Sequence, residues 1–292
     1  MALTVSGLPK SLYKYFPPER VDGLASCEVS FSPLSAFNDP FEGRPEITGL
    51  SSYEVLKEEC LKRFGPEIAE QYSKLPQTDR DRIPFDQFSA MMWGLAYNNL
   101  DDELKKYAPA ANDYARTFPD YLDKHIGVFC LCEVPDNLLM WAHYTKSHTG
   151  FVVEYKAEHS FFNAKRSDSD EFYHLRRVLY RSTRPSADLM NMEGPEFFLI
   201  KSDHWSYEHE WRVLKPLQDC DRTLHVAGRD VHLFKYPADA IKSITVGARA
   251  SDHTVSKIRE ILKSNPDFAD VSLYQAFPDS SHFLVRVRGI AI

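Results

Sequence analysis

Residues 52–125 read as helix, and the chain on both sides of them reads as short strands. Tyr53, Leu56, Cys60 and Phe64 recur at intervals of three and four with charged residues between them, which gathers apolar side chains on one helical face. Further helical stretches follow around residues 85–95 and 107–124. Ahead of this block, residues 11–16 alternate aromatic and polar side chains and read as a strand. Pro17 and Pro18 stop that strand, and Pro18 can open a short helix through Val21 and Leu24. Residues 28–32 read as a second strand, closed by Pro33. Strand signals return at residues 127–132, 150–155, 177–181, 211–214 and 241–246. Asp252 then suits the N-cap of a helix carrying Val255, Ile258, Ile261 and Leu262, and strands near residues 271–274 and 283–287 close the chain. The expectation is an α+β fold with a split, mainly antiparallel sheet, flanking helices and a helical insertion at about residues 52–125. No Gly/Ser-rich linker marks a boundary, so residues 1–292 are expected to form a single domain.

Composition excludes several classes. The net charge is −7 with no basic stripe or tail, which disfavours unspecific binding to a duplex backbone. The five cysteines, Cys27, Cys60, Cys130, Cys132 and Cys220, are odd in number and form no disulfide framework, so reduced thiols are expected. Residues 1–10 lack the basic start and long apolar run of a signal peptide, and no stretch approaches the roughly 18 apolar residues of a membrane span. A cytoplasmic location without membrane association is therefore expected. Aromatic residues make up 13% of the chain, a share that suits half-buried strands and pocket walls.

Three segments offer chemistry. In Phe37-Asn38-Asp39-Pro40-Phe41-Glu42-Gly43, Asn38 and Asp39 can cap their own turn or contact a ligand, and a loop locked by its own side chains makes a rigid wall. In Met140-Trp141-Ala142-His143-Tyr144, Met140 and Trp141 suit core packing. A zinc site drawn from His143, His148, Cys130 and Cys132 matches no closed structural set, so no metal is expected. In Glu208-His209-Glu210, an extended backbone would point both carboxylates to one face, with Cα atoms about 6.5–7 Å apart. Two such acids repel and raise each other's pKa until a cation, Arg212 or a positive charge on substrate, relieves them. An ion-pair ladder with Arg212 and a catalytic cluster remain equally open from sequence.

Taken together, Leu12-Tyr13-Lys14-Tyr15, Phe31-Ser32-Pro33 with the Phe37 to Gly43 loop, Met140 to Tyr144 with His148 and Gly150-Phe151, and Trp205-Ser206-Tyr207-Glu208-His209-Glu210-Trp211-Arg212 carry a family resemblance. Their order resembles that of the bacterial family catalogued as domain of unknown function 2971, over residues 12–246. In layout the chain also resembles the ADP-ribosyltransferase superfamily, in which an early strand carries His or Arg, a middle strand Ser or Tyr, and a late strand Glu, sometimes as Glu-x-Glu. Lys14 or Tyr15 stands here at the first position, and Ser32 lacks the usual Ser-Thr-Ser surroundings. That resemblance implies an enzyme taking NAD as substrate, cleaving the nicotinamide–ribose bond and passing ADP-ribose to a protein, nucleic-acid or small-molecule acceptor, with a toxin or defence role. Glu210 would be the key acid and Glu208 its partner. Lys14, Tyr15, Ser32, Asn38, Asp39, Trp141, His143 and Tyr144 would hold the dinucleotide, with Tyr144 or Trp141 stacking on nicotinamide. Two alternatives stand beside it: a metal-dependent nucleic-acid hydrolase using Glu208, Glu210 and Asp39, and a non-catalytic nucleotide-sensing or partner-binding module. Gly-x-Ser-x-Gly, phosphate-loop, Gly-x-Gly-x-x-Gly and Cys-x-x-Cys signatures are missing.

Overall fold

The computed structural model describes residues 7–44, 46–49, 51–188 and 197–292. The first six residues, part of the segment expected to lack a leader, lie outside the described residues. In chain order the elements are β1 (Ser11–Phe16), α1 (Val21–Ala25), β2 (Glu28–Phe31), β3 (Glu46–Gly49), α2 (Tyr53–Lys74), α3 (Gln77–Arg80), α4 (Phe85–His125), β4 (Ile126–Cys132), α5 (Leu138–Tyr144) and β5 (Phe151–Lys156). They continue with β6 (Arg176–Arg177), β7 (Leu179–Arg181), β8 (Ser186–Asp188), β9 (Ile200–Ser202), β10 (Glu210–Pro216), β11 (Arg222–Val226), β12 (Arg229–Lys235), β13 (Ile241–Val246), α6 (Asp252–Ser264), β14 (Ser272–Pro278) and β15 (Val285–Gly289). The fold is α+β with a mainly antiparallel sheet, as the alternation of strand and helix signals implies.

The chain divides into two compact units. One comprises residues 1–44, 122–184 and 194–292; the other comprises residues 45–121 and 185–193. The larger unit holds an eight-stranded sheet in the order β15-β14-β13-β5-β1-β4-β10-β6, in which only β13 and β14 run parallel, and a three-stranded sheet β11-β12-β2. Its core joins Phe31, Phe129, Phe162 and Phe234 to Tyr155 and to Ile258 and Leu262 of α6. Burying such side chains supplies the main favourable term in folding. A second cluster, Tyr15, Cys132, Met140, Trp141, Val152, Ala276 and Val285, packs α5 onto the sheet.

In the smaller unit, α2 and the first half of α4 form an antiparallel hairpin. Tyr72 stacks against Phe88 at 5.3 Å and Phe64 against Trp93 at 5.9 Å, while Tyr53 donates to Asp101. Here the structure corrects one expectation: α4 is a single helix, not two stretches. Ala96, Leu100 and Leu104 are all buried, so the apolar face at intervals of four carries on through the segment between the two expected helices. The strand expected at residues 177–181 is likewise two short strands. Val178 donates to Glu210 O at 2.9 Å and Leu179 to Leu199 O at 2.7 Å, so the chain changes partner between them. Among the described residues no helix is long and apolar enough to cross a membrane.

Candidate functional site

β1 and β4 pair at Tyr13 and Cys132, and residues of both strands next to that pair line a cavity of about 280 Å³ in the larger unit. Tyr13, Lys14 and Tyr15 of β1 and Cys130, Leu131 and Cys132 of the adjacent β4 are among the lining residues. Ser32, Ala36, Phe37 and Asn38 arrive from the loop after β2. Met140 and Tyr144 come from α5, Lys201 from β9, Glu208 from the turn that follows it and Glu210 from the start of β10. Gly127 sits in β4 beside the loop that carries Ser32; a Cβ there would meet Leu217 Cδ2 at 2.5 Å and Phe31 Cβ at 2.8 Å, so a larger residue would force β2 and β4 apart. Ser32 itself bridges Val128, its N–H donating to Val128 O at 3.0 Å.

The acidic pair does not lie along one extended strand. Glu208 ends a 3₁₀ helix over Asp203–Glu208, His209 takes a left-handed conformation at φ 45°, and β10 begins only at Glu210. The two carboxylates nevertheless meet, because both bind one ammonium. Lys201 Nζ donates to Glu208 Oε2 at 2.6 Å and to Glu210 Oε2 at 2.8 Å. Arg212 Nε donates to Glu210 Oε1 at 2.8 Å, and its Nη2 reaches both Glu210 Oε2, at 3.0 Å, and Glu42 Oε1. Tyr144 Oη donates to Glu208 Oε1 at 2.6 Å. The Glu210 N–H is held by Tyr180 Oη at 2.8 Å.

All five charged groups are buried, Arg212 completely and Glu42, Lys201, Glu208 and Glu210 at 2–5% exposure. Three carboxylates thus surround two cations, and Asp39, also buried, adds a fourth. At this depth each charge must find a partner or shift its pKa. Burial raises the Glu210 pKa, Lys201 opposes the rise, and Glu208 adds to it. Burial works against the Lys201 ammonium, but Glu210 and Glu208 outweigh it and hold the lysine firmly protonated. Burial pulls Arg212 down to about 9, which leaves it charged at neutral pH. Tyr144 is raised by burial and then by Glu208, so it remains a donor to that carboxylate. Burial, followed by the Glu210 charge, pushes the Cys130 thiol well up, so Cys130 is a neutral wall.

Of the residues singled out from sequence, Lys14, Tyr15, Ser32, Asn38, Tyr144, Glu208 and Glu210 gather around the cavity. The remaining three do not. Trp141 is 0% exposed, donates through Nε1 to Pro135 O at 2.8 Å and packs edge-on against Tyr15, so it cannot stack on a ligand. His143 is exposed on α5 and does not line the cavity. Asp39 Oδ1 accepts the Phe41 N–H at 2.9 Å, the turn-capping role, and its charge faces Arg212. The grouping of Asp39 with Glu208 and Glu210 around a divalent ion is not formed, since the Lys201 ammonium stands between the two glutamates and no three His, Cys, Asp or Glu side chains among the described residues are placed so that they could hold a metal ion.

Sequence reasoning missed Lys201 and Glu42. Glu42 lay inside a quoted loop, but its partner Arg212 is 170 positions away. Lys201 carries no motif at all. The one available signal was that Glu208 and Glu210 could not share a buried site without a cation, and Lys201 and Lys215 are the two lysines that flank them in sequence.

No curated protein and no solved structure matches the chain. Residues 140–213, the segment running from Met140 through Tyr144, Lys201, Glu208 and Glu210 to the middle of β10, match the model of the family described as "Protein of unknown function (DUF2971)".

Proposed function

We propose that the cavity takes the nicotinamide end of NAD and cleaves the nicotinamide–ribose bond, passing ADP-ribose to an acceptor in the manner of an ADP-ribosyltransferase. The observation that carries this reading is the surplus of buried carboxylate against the cavity wall: Glu42, Glu208 and Glu210 outnumber Lys201 and Arg212. A pyridinium ring is cationic, and the ribosyl group becomes oxocarbenium-like as the bond breaks. Fixed negative charge in a dry site stabilises that developing positive charge without reorganising. Tyr13, Phe37 and Tyr144 supply aromatic wall, and Ser32 and Asn38 supply groups for ribose hydroxyls. Lys14, which no carboxylate pairs with among the described residues, suits the pyrophosphate. A volume near 280 Å³ is at the small end of ligand sites and suits one end of a dinucleotide.

In this reading Glu210 stabilises the ribosyl cation, and Glu208, hydrogen-bonded by Tyr144, orients the ribose or accepts the acceptor's proton. An ADP-ribosyltransferase-like arrangement of the sheet and a toxin or defence setting belong to the same proposal. A second reading is favoured by one feature: both Glu210 oxygens are already hydrogen-bonded, which suits a module that binds a nucleotide without turning it over. Release of nicotinamide from NAD by the purified protein decides between them. The transferase reading expects release that survives chelation and drops about 10²–10³-fold in Glu210→Gln, the scale of losing one preorganised electrostatic group. Binding without release supports the sensing module, and full activity in Glu210→Gln rejects the assigned roles.

A further inference from the structure

We propose that Glu42 is a positioning residue that draws the Lys201 ammonium out of the acidic pair when a cationic ligand enters the cavity. The proposal rests on reading the cavity as a seat for positive charge. Lys201 has two sets of acceptors within reach. In front are Glu208 Oε2 and Glu210 Oε2, at 2.6 and 2.8 Å, and both residues line the cavity. The third acceptor is Glu42 Oε2, 3.8 Å from Nζ and on a residue that does not line the cavity. That oxygen is buried and has no hydrogen-bond partner, while its twin Oε1 accepts from Arg212.

An ammonium carries three donor protons, and two are spent on the acidic pair. A buried carboxylate oxygen without a donor is costly to keep. A shift of about 1 Å would bring Nζ within hydrogen-bonding range of Glu42 Oε2. A cation arriving between Glu208 and Glu210 repels the ammonium and replaces it as their partner. The lysine meanwhile gains Glu42, so every buried charge is paired before and after the exchange. In the empty site Lys201 keeps the acids apart from solvent and from each other; in the occupied site the acids face the ligand. A neutral ligand of the same shape offers nothing to displace the ammonium. The exchange therefore makes the cavity select cations over their neutral isosteres.

The Glu208→Gln/Glu210→Gln variant removes the forward charges while keeping their shape, and its crystal structure needs no ligand. The expected result is Lys201 Nζ within about 3 Å of Glu42 Oε2. An ammonium that stays at its original separation overturns the proposal, even if the wild-type protein cleaves NAD; an ammonium that moves upholds it, even if NAD is untouched. Should that variant fail to fold, ¹⁵N resonances of the Lys201 ammonium in the wild-type protein serve instead, titrated with the 1-methylnicotinamide cation and with neutral nicotinamide. The cation is expected to shift the resonance and nicotinamide to leave it in place. Glu42→Gln is expected to abolish that shift and weaken cation binding by about tenfold or more, with nicotinamide binding unchanged. Equal weakening for both probes, or a cation that does not bind, overturns it.

Discussion

Lys146, Ser147 and His148 are three successive non-glycine residues in the left-handed region, at φ 53°, 59° and 68°. Each costs roughly 1–2 kcal/mol relative to an ordinary helical residue. The turn persists because its surroundings determine it. His148 N–H donates to Trp141 O at 3.2 Å, its ring stacks on the Trp141 indole at 5.9 Å, and Gly150 N–H donates to the buried Thr145 at 2.9 Å. Gly150 itself must be glycine, since a Cβ there would fall 2.0 Å from Phe16 O. Together these contacts reverse the chain from α5 into β5 and so fix Tyr144 against Glu208. Ser147 is exposed, and what it gives the turn, an N–H donated to Ala142 O at 3.1 Å, comes from its backbone and would be kept by glycine. Ser147→Gly is therefore expected to raise stability by about 1 kcal/mol, read as a higher urea midpoint at unchanged slope. A lower midpoint would mean that the serine side chain contributes more than its backbone costs. His209 shows why the site was only partly legible at this scale. The clustering of Glu208 and Glu210 is plain in the sequence, but a histidine at φ 45° carries no local signal, and the extended geometry read from the spacing fails at that one residue.

At the scale of elements, β10 joins the two regions of chemistry in the larger unit. Glu210 and Arg212 enter the carboxylate network, while Lys215, near its other end, is caged by rings. Lys215 Nζ lies 3.9 Å from the centroid of Phe161, 5.1 Å from that of Phe31 and 5.4 Å from that of Phe234. Burial pulls its pKa down from 10.5 to about 8, against the opposing pull of Asp221 and Asp219. The folded state therefore sheds this proton before the unfolded state does. Between about pH 8 and 10.5 the unfolded chain binds more protons, so this group's contribution to stability grows as pH rises and is lost as pH falls to 8. Lys215→Met is expected to remove that rise from a series of urea midpoints measured across the window. A rise of the same size in the variant would assign it to other groups. Most strands were legible because alternation and proline stops are local. The hairpin of β11 and β12 was not. Its turn, Ala227-Gly228, has positive φ at both positions, at 50° and 76°, and alanine gives no warning of that conformation. α4 was read as two helices because the apolar face between its halves is made of Ala96, Leu100 and Leu104, which mark only one residue in four.

At the scale of the molecule, the two units differ in what holds them. The larger has an eight-stranded, a three-stranded and a two-stranded sheet and a core of aromatic and aliphatic side chains. The smaller buries Ile68, Phe88, Ala96, Leu100 and Leu104 along a helical hairpin while Met91, Leu95 and Tyr97 are more than half exposed. Regions with few buried apolar contacts open at lower free energy. Amide exchange in α2 and α3 is therefore expected to be faster than in β4, β5 and β10, and equal protection would contradict the difference. The helical character of residues 52–125 was evident from their spacing, but its organisation as a separate compact unit was not, because the pairing of β3 with β8 depends on residues some 140 positions apart. The cavity lies wholly within the larger unit, and its charge can be tested without knowing any acceptor. NAD and NADH differ at the nicotinamide ring by one positive charge and one hydride, with the rest of the dinucleotide the same. Calorimetric titration of the protein with each is the most direct measurement of the surplus negative charge around Glu208 and Glu210. NAD is expected to bind about tenfold or more tightly than NADH; equal affinity, or a preference for NADH, would contradict the account.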